Sequence, residues 1–361
     1  MQDALFADAE DPPRKPHAPR RAAVGPGPKV RPAAPDPVHL ALAEALPPLI
    51  RLGTSSWTYP GWTGLVWDTD YADAVLSKHG LSAYVQHPLF RTVSLDRAFY
   101  RPLTVSQYAG YAAQVPDDFR FVVKAPSLVT DAMVRSETGR GMQLNPAFLN
   151  TALTVQEFVQ PALEGLGHKL GALVFQLSPL PPHLLNSLAD VQRRLHTLLL
   201  ALPPVQPAAP DAVVAVEVRD AAFLTPQFAA LLRGTGATYC LGLHSKMPPI
   251  EEQLPILRAL WPGPLVCRWN LHRMHGAYGY EEAEKLYLPY DKLVDVDPGT
   301  RSTLAKVAAA TAAAGHKAYI TISNKAEGSA PRTVAGLAKE INRHSSARQD
   351  VQKPHLPPDA G

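Results

Sequence analysis

Lys124 closes the run FRFVVKAP, residues 119–126. An ammonium at the end of a β-branched, aromatic stretch is costly to bury without a partner. Burial also lowers a lysine's pKa toward the range where the amine serves as general acid, general base or Schiff-base nucleophile. Similar polar endings recur along the chain: Asp96 in TVSLD (92–96), Gln176 in GALVFQLS (171–178), Glu217 and Arg219 in VVAVEVR (213–219), His244 just past ATYCLGL (237–243), and Arg268 and Asn270 in LVCRWN (265–270). Residues two apart on a strand share a face. If these runs are strands, their polar ends can converge. Lys124 is then the candidate catalytic amine and Glu217 its proton partner and counter-charge, with Asp96 a second counter-charge. Arg219 and Arg268 hold an anion, because a guanidinium matches phosphate or carboxylate bidentately, and Gln176 and Asn270 orient it. With His244 neutral, three cations face two carboxylates. The excess of one positive charge points to an anionic small-molecule ligand, such as a sugar phosphate, a nucleotide or a carboxylated metabolite.

The positioning elements follow from alternation. Eight β-rich runs cover 50–56, 92–96, 120–125, 171–178, 213–219, 237–243, 265–270 and 317–323, with helical candidates at 105–114, 147–163, 183–201, 226–234, 301–314 and 331–343. Strands alternating with helices predict parallel strands and crossover helices, and eight units over about 300 residues fit a single (β/α)8 barrel of the TIM type. An open doubly wound sheet is the rival, but GTSSWTYPG (53–61) is not a G-x-G-x-x-G phosphate turn. Within each run one parity is bulky and apolar, as in Val214, Val216 and Val218. The other starts small and ends polar, as in Ala215, Glu217 and Arg219. That is the pattern of a barrel interior with a polar C-terminal mouth.

The chain has 361 residues, 35 Lys and Arg against 32 Asp and Glu, and a formal charge of +3. This balance does not point to nucleic acid as a partner. Cys240 and Cys267 have no metal or disulfide spacing, as expected of a reducing compartment. The N-terminus lacks a signal-peptide core, and no apolar run approaches the roughly 18–20 residues that span a bilayer. A cytoplasmic location without membrane contact is the expectation. Residues 1–47, rich in Pro, Ala and Arg, and residues 345–361 are expected to be disordered tails around a barrel over 48–344. The sequence is silent on oligomeric state.

The blocks LGTSSWTYPGW (52–62), TVSLDRAFYRPL (92–103), QVPDDFRFVVKAP (114–126), GALVFQLSPLPP (171–182) and VAVEVRDAAF (214–223) occur in an order that resembles the YecE-like family, domain of unknown function 72. The resemblance implies a TIM-type barrel and no established reaction. It implies site positions at Trp57, Trp62, Phe99, Tyr100, Lys124, Gln176, Glu217, Arg219, Arg268 and Asn324. It also marks two departures: Ser94 stands where the family often has Glu, and His244 near where it tends to have Asp.

Three functions fit these residues. The first is a Lys124/Glu217 acid–base or Schiff-base enzyme acting on an anionic substrate. The second is a module that binds such a metabolite without transforming it. The third is a metal-dependent phosphoesterase or nuclease recruiting His244, His272, His275, Asp96 and Glu217. Against the third, HRMH (272–275) is not a zinc spacing, no H-E-x-x-H occurs, and three cations oppose a divalent ion. No metal and no cofactor are expected. The long connection 271–300 is read as a lid carrying a surface helix at EEAEKLY.

Overall fold

The computed structural model describes residues 29–135, 141–276 and 279–352. Ten strands occur among them: β1 Ile50–Thr54, β2 Thr92–Leu95, β3 Arg120–Lys124, β4 Met133–Arg135, β5 Met142–Leu144, β6 Leu170–Gln176, β7 Val213–Glu217, β8 Thr238–Leu243, β9 Leu265–Trp269 and β10 Ala318–Ile322. Eight of them close into a barrel in the order β1-β10-β9-β8-β7-β6-β3-β2, every pair parallel. These are the eight runs read from the sequence, and the (β/α)8 architecture is the one expected. The pair β4–β5 is an antiparallel hairpin within the connection that follows β3.

Parity divides the core in two. Val122, Ala172, Val174, Ala215, Cys240, Val266 and Tyr319 form a small cluster of their own. All carry the parity assigned to the barrel interior. Their neighbours Phe121, Val123, Leu173, Phe175, Val216 and Leu241 join the larger cluster that packs against the helices. Closing the cylinder demands a close approach at β1. A Cβ at Gly53 would sit 1.8 Å from the Thr92 carbonyl oxygen, so only glycine fits there.

The tail boundaries need correction. Pro37–Ala45 is a helix inside the segment expected to be disordered. Asp36 caps its start by accepting from the Val38 N–H at 2.8 Å. At its other end Arg91 donates to the carbonyls of Ala43, Leu46 and Pro47, and Asn342 donates to Leu42 at 2.9 Å. Val30 is buried and Pro32 bridges to Trp67. These partners lie far along the chain, so local composition could not reveal them. The final helix, Ala330–Gln352, likewise runs into the predicted C-terminal tail. The rest of both tails lies outside the described residues. A helix at Ile250–Ala259 was also missed, its interior Pro255 masking the pattern.

Candidate functional site at the barrel mouth

The inner parity ends at the mouth as the sequence implied. Register places Gln176 beside Glu217 and Thr321 beside Arg268. Gly242, also level with Arg268, leaves room for the acid: a Cβ there would meet Glu217 Cγ and Oε1 at 3.3 Å. Glu217 is fully buried and held on both oxygens. Arg219 Nη2 lies 2.6 Å from Oε1, Arg268 Nη1 2.7 Å from Oε2, and Asn270 Nδ2 donates to Oε1 at 3.3 Å. Arg268 turns its other nitrogen, Nη2, to both oxygens of Asp96 at 3.0 and 2.8 Å, and Ser94 donates to the same carboxylate at 2.6 Å. Gln176 Oε1 accepts from Arg219 Nη2 at 3.1 Å and from Arg268 Nη1 at 3.3 Å. Six of the predicted site residues therefore form one network: Asp96, Gln176, Glu217, Arg219, Arg268 and Asn270.

Lys124 ends its strand on the same inner parity but stands outside the network. Its ammonium does not pair with Glu217, which corrects the expected ion pair. It lies 3.2 Å from the centroid of the Phe99 ring, a cation–π contact. Among the described residues no carboxylate is within ion-pair distance of it. Burial, then the charge of Arg268, bring its pKa down to about 7, against the opposing pull of Asp96 and Glu217. Burial alone would raise the Glu217 carboxyl. Arg219 and Arg268 outweigh it, and the net shift is downward. Glu217 is thus a fixed anion whose lone pairs are committed to guanidiniums, not a free proton carrier. Arg268 is pushed down by burial but up, on balance, by Asp96 and Glu217.

Donors are left over. Among the described residues, Arg219 Nη1, Arg268 Nε and the Thr321 hydroxyl are buried without a partner. Buried polar groups without a partner are rare and costly. His244 is buried at the rim, its ring 5.3 Å from that of Tyr280, and its Nδ1 accepts from the Lys246 N–H at 3.1 Å. Burial, then Arg219, push it down to about 3, so it is neutral near pH 7.

Of the aromatics that the resemblance marks, Phe99 lies against Lys124 and the two tryptophans are engaged in packing. Trp57 is buried in the core, its indole donating to the Leu76 carbonyl at 3.1 Å and its ring edge-on to Tyr111. Trp62 is fully buried and donates to Asn324 Oδ1 at 3.1 Å. Asn324 in turn accepts from the Ala330 N–H at 2.8 Å, bracing the start of the last helix. Tyr100 is 68% exposed beside Phe99. Sequence reasoning missed Asp131 and Ser178, hydrogen-bonded at 2.5 Å. Burial raises the Asp131 carboxyl, while Ser178 and the charge of Lys124 oppose the rise. Asp131 lies on no strand, so parity could not find it.

The lid region contains the expected helix, Gly279–Tyr287. Tyr278 lies outside the described residues. His275 shares a 2.8 Å hydrogen bond with the Tyr287 hydroxyl, which donates to Asp295 at 2.7 Å. His272 Nδ1 accepts from the Met274 N–H at 3.2 Å. Among the described residues, no three His, Cys, Asp or Glu side chains are grouped to hold a metal ion. No described helix is long and apolar enough to cross a membrane. Two surface clefts of about 380 and 200 Å³, around His87, touch none of the mouth residues.

The family profile described as "Protein of unknown function DUF72" matches residues 51–358. The chain belongs to the DUF72 family. A crystal structure of a DUF72 family protein from Enterococcus faecalis V583 is 17% identical and covers 81% of this chain and 95% of its own, with a TM-score of 0.51. One from Thermotoga maritima MSB8 is also 17% identical, covering 81% of this chain and 99% of its own at a TM-score of 0.47. The first of these likenesses supports the DUF72 fold. No curated protein matches the chain.

Proposed function

We propose that the barrel mouth binds a small molecule bearing a phosphate or carboxylate, with Lys124 and Arg219 as the groups that meet it. One observation carries this reading. Asp96 and Glu217 are spent on Arg219 and Arg268, while among the described residues Arg219 Nη1 is a buried donor without an acceptor and Lys124 lies against the Phe99 face with no carboxylate in ion-pair range. An anion placed between them would relieve both the unpaired donor and the excess charge. Arg268, Gln176 and Asn270 act behind them, holding Glu217 and Arg219 in position.

A catalytic reading is favoured over passive binding by Lys124 itself. An amine held at about 7 exchanges protons at neutral pH, which suits general acid–base work. Glu217 is its scaffold, not its proton partner. A metal-dependent phosphoesterase finds no support in the arrangement of His244, His272 and His275.

Sulfate is a suitable first probe, because its charge is constant near neutral pH. Thermal unfolding with sulfate at a hundredfold excess over Kd should show about 2.7 kcal/mol of stabilisation. Lys124→Met should lose most of it. Equal response of the two proteins would remove Lys124 from the site.

A further inference from the structure

We propose that Lys124 condenses with an aldehyde or ketone that also carries a phosphate or carboxylate, forming an imine while the anion sits on Arg219. This deepens the reading above and rests on it. The geometry has three parts. The amine lies against the Phe99 face at 3.2 Å, with no carboxylate in ion-pair range among the described residues to hold it protonated. The acid that could have paired with it, Glu217, is locked between two guanidiniums. Arg219 Nη1, on the same inner parity, is buried with no acceptor among the described residues, which makes it the donor assigned to the anion. Asp131, hydrogen-bonded to Ser178, lies close enough for Lys124's charge to act on it. Burial raises this carboxyl, while Ser178 and the charge of Lys124 oppose the rise.

The step balances without any redox partner. The lone pair of neutral Lys124 Nζ adds to the carbonyl carbon, and the C=O π pair moves to oxygen, which takes a proton. Nitrogen releases one proton. The carbinolamine hydroxyl then takes a proton from solvent and leaves as water, while the nitrogen lone pair closes the C=N bond and the resulting iminium N–H returns one proton to solvent. The net change is one water released. The substrate class is therefore a small keto or aldehydo acid or phosphate, and an imine of that kind acts as an electron sink for a bond at the adjacent carbon.

The test uses the full chain, glycolaldehyde phosphate as the anionic aldehyde and acetaldehyde as the uncharged one, at equal concentration. Cyanoborohydride delivers hydride to the imine carbon and fixes each adduct as a secondary amine, which peptide mass mapping locates. Lys124 should be labelled at least tenfold faster than the exposed Lys78 by glycolaldehyde phosphate, and the preference should vanish with acetaldehyde. Excess sulfate should abolish the preference. Arg219→Gln should slow labelling of Lys124 about tenfold and leave Lys78 unchanged; if that variant fails to fold, the sulfate competition on the wild type reads the same dependence. Wild-type labelling of Lys124 no faster than Lys78 overturns the proposal. If sulfate still stabilises the fold in that case, the imine falls and the anion site stands. If sulfate does nothing either, both fall.

Discussion

The two ends of this barrel carry similar charges and spend them differently. At the N-terminal end Asp211 accepts from Arg120 Nε at 2.8 Å, lies 2.6 Å from Arg120 Nη2 and pairs with Lys317, while its carbonyl accepts from the buried Tyr319 hydroxyl at 2.9 Å. Arg51 donates to the Asp118 carbonyl, and Arg120 Nη1 to the carbonyls of Asp117 and Phe119 at 2.6 and 2.9 Å. These cations meet backbone carbonyls and half-exposed carboxylates near solvent. At the mouth the cations share two acids and still leave buried donors over. A count of charges would not separate the two ends; the unspent donors do. The lower cluster reads as a plug that fixes strand ends, the upper one as a place prepared for something else.

The largest expected loss of stability comes from breaking the acid on which the upper network converges. Glu217→Gln leaves Arg219 and Arg268 facing each other with half their compensation gone. Removing one partner of a buried ion pair costs about 3–5 kcal/mol, so urea unfolding should show a loss of that order. The same variant should bind sulfate more tightly, because the excess positive charge grows. At the other end Asp211→Asn should cost less, about 1–2 kcal/mol, since its partners retain solvent and carbonyls. It should leave sulfate affinity untouched. If Asp211→Asn altered sulfate binding as Glu217→Gln does, the contrast between plug and site would collapse.

Lys124→Met sharpens the contrast from the opposite side. The wild-type amine is held at about 7 in the fold and returns to its ordinary 10.5 on unfolding. Between those values the unfolded chain carries a proton that the folded chain does not, so wild-type stability rises with pH across that window. Below about 7 the cost of burying the charge is present in full; above 10.5 it is gone. The Met variant should therefore be the more stable protein at neutral pH, by about 4–5 kcal/mol, and the gap should close as pH approaches 10. Sulfate affinity should fall in the wild type above pH 7 and stay flat in the variant. A gap independent of pH would mean that the amine is not held neutral by its surroundings.

Most of the fold was legible because the strands alternate so strictly. Ala215, Glu217 and Arg219 announce one face, and Val214, Val216 and Val218 the other. Eight such runs leave little freedom in topology. The convergence of Asp96, Gln176, Glu217, Arg219, Arg268 and Asn270 followed from the same parity. What parity could not supply is pairing within the face. Glu217 has two cations nearer than Lys124, and the choice depends on side-chain reach across the barrel. Residues off the strands were less visible still. Trp57 and Trp62 carry site positions only through the resemblance, and aromatics bury equally well in a core or a pocket. Asp131 looked like any loop acid until the fold set it near an ammonium.

His244 gives the smallest expected effect and tests the electrostatic half of the argument alone. Its ring is neutral at pH 7, because burial and then Arg219 press its pKa to about 3. Replacing it with Asp puts a carboxylate near Arg219. A carboxylate there competes with the seated anion for the charge of Arg219 and repels the anion directly. Sulfate affinity should therefore weaken roughly tenfold in His244→Asp. His244→Asn is similar in size and uncharged, and both variants lose part of the packing against Tyr280 at a cost of about 1 kcal/mol in stability. The two should thus unfold alike and bind differently. Equal weakening of sulfate by Asn and Asp would assign the effect to shape, and the excess charge at the mouth would no longer explain what binds there.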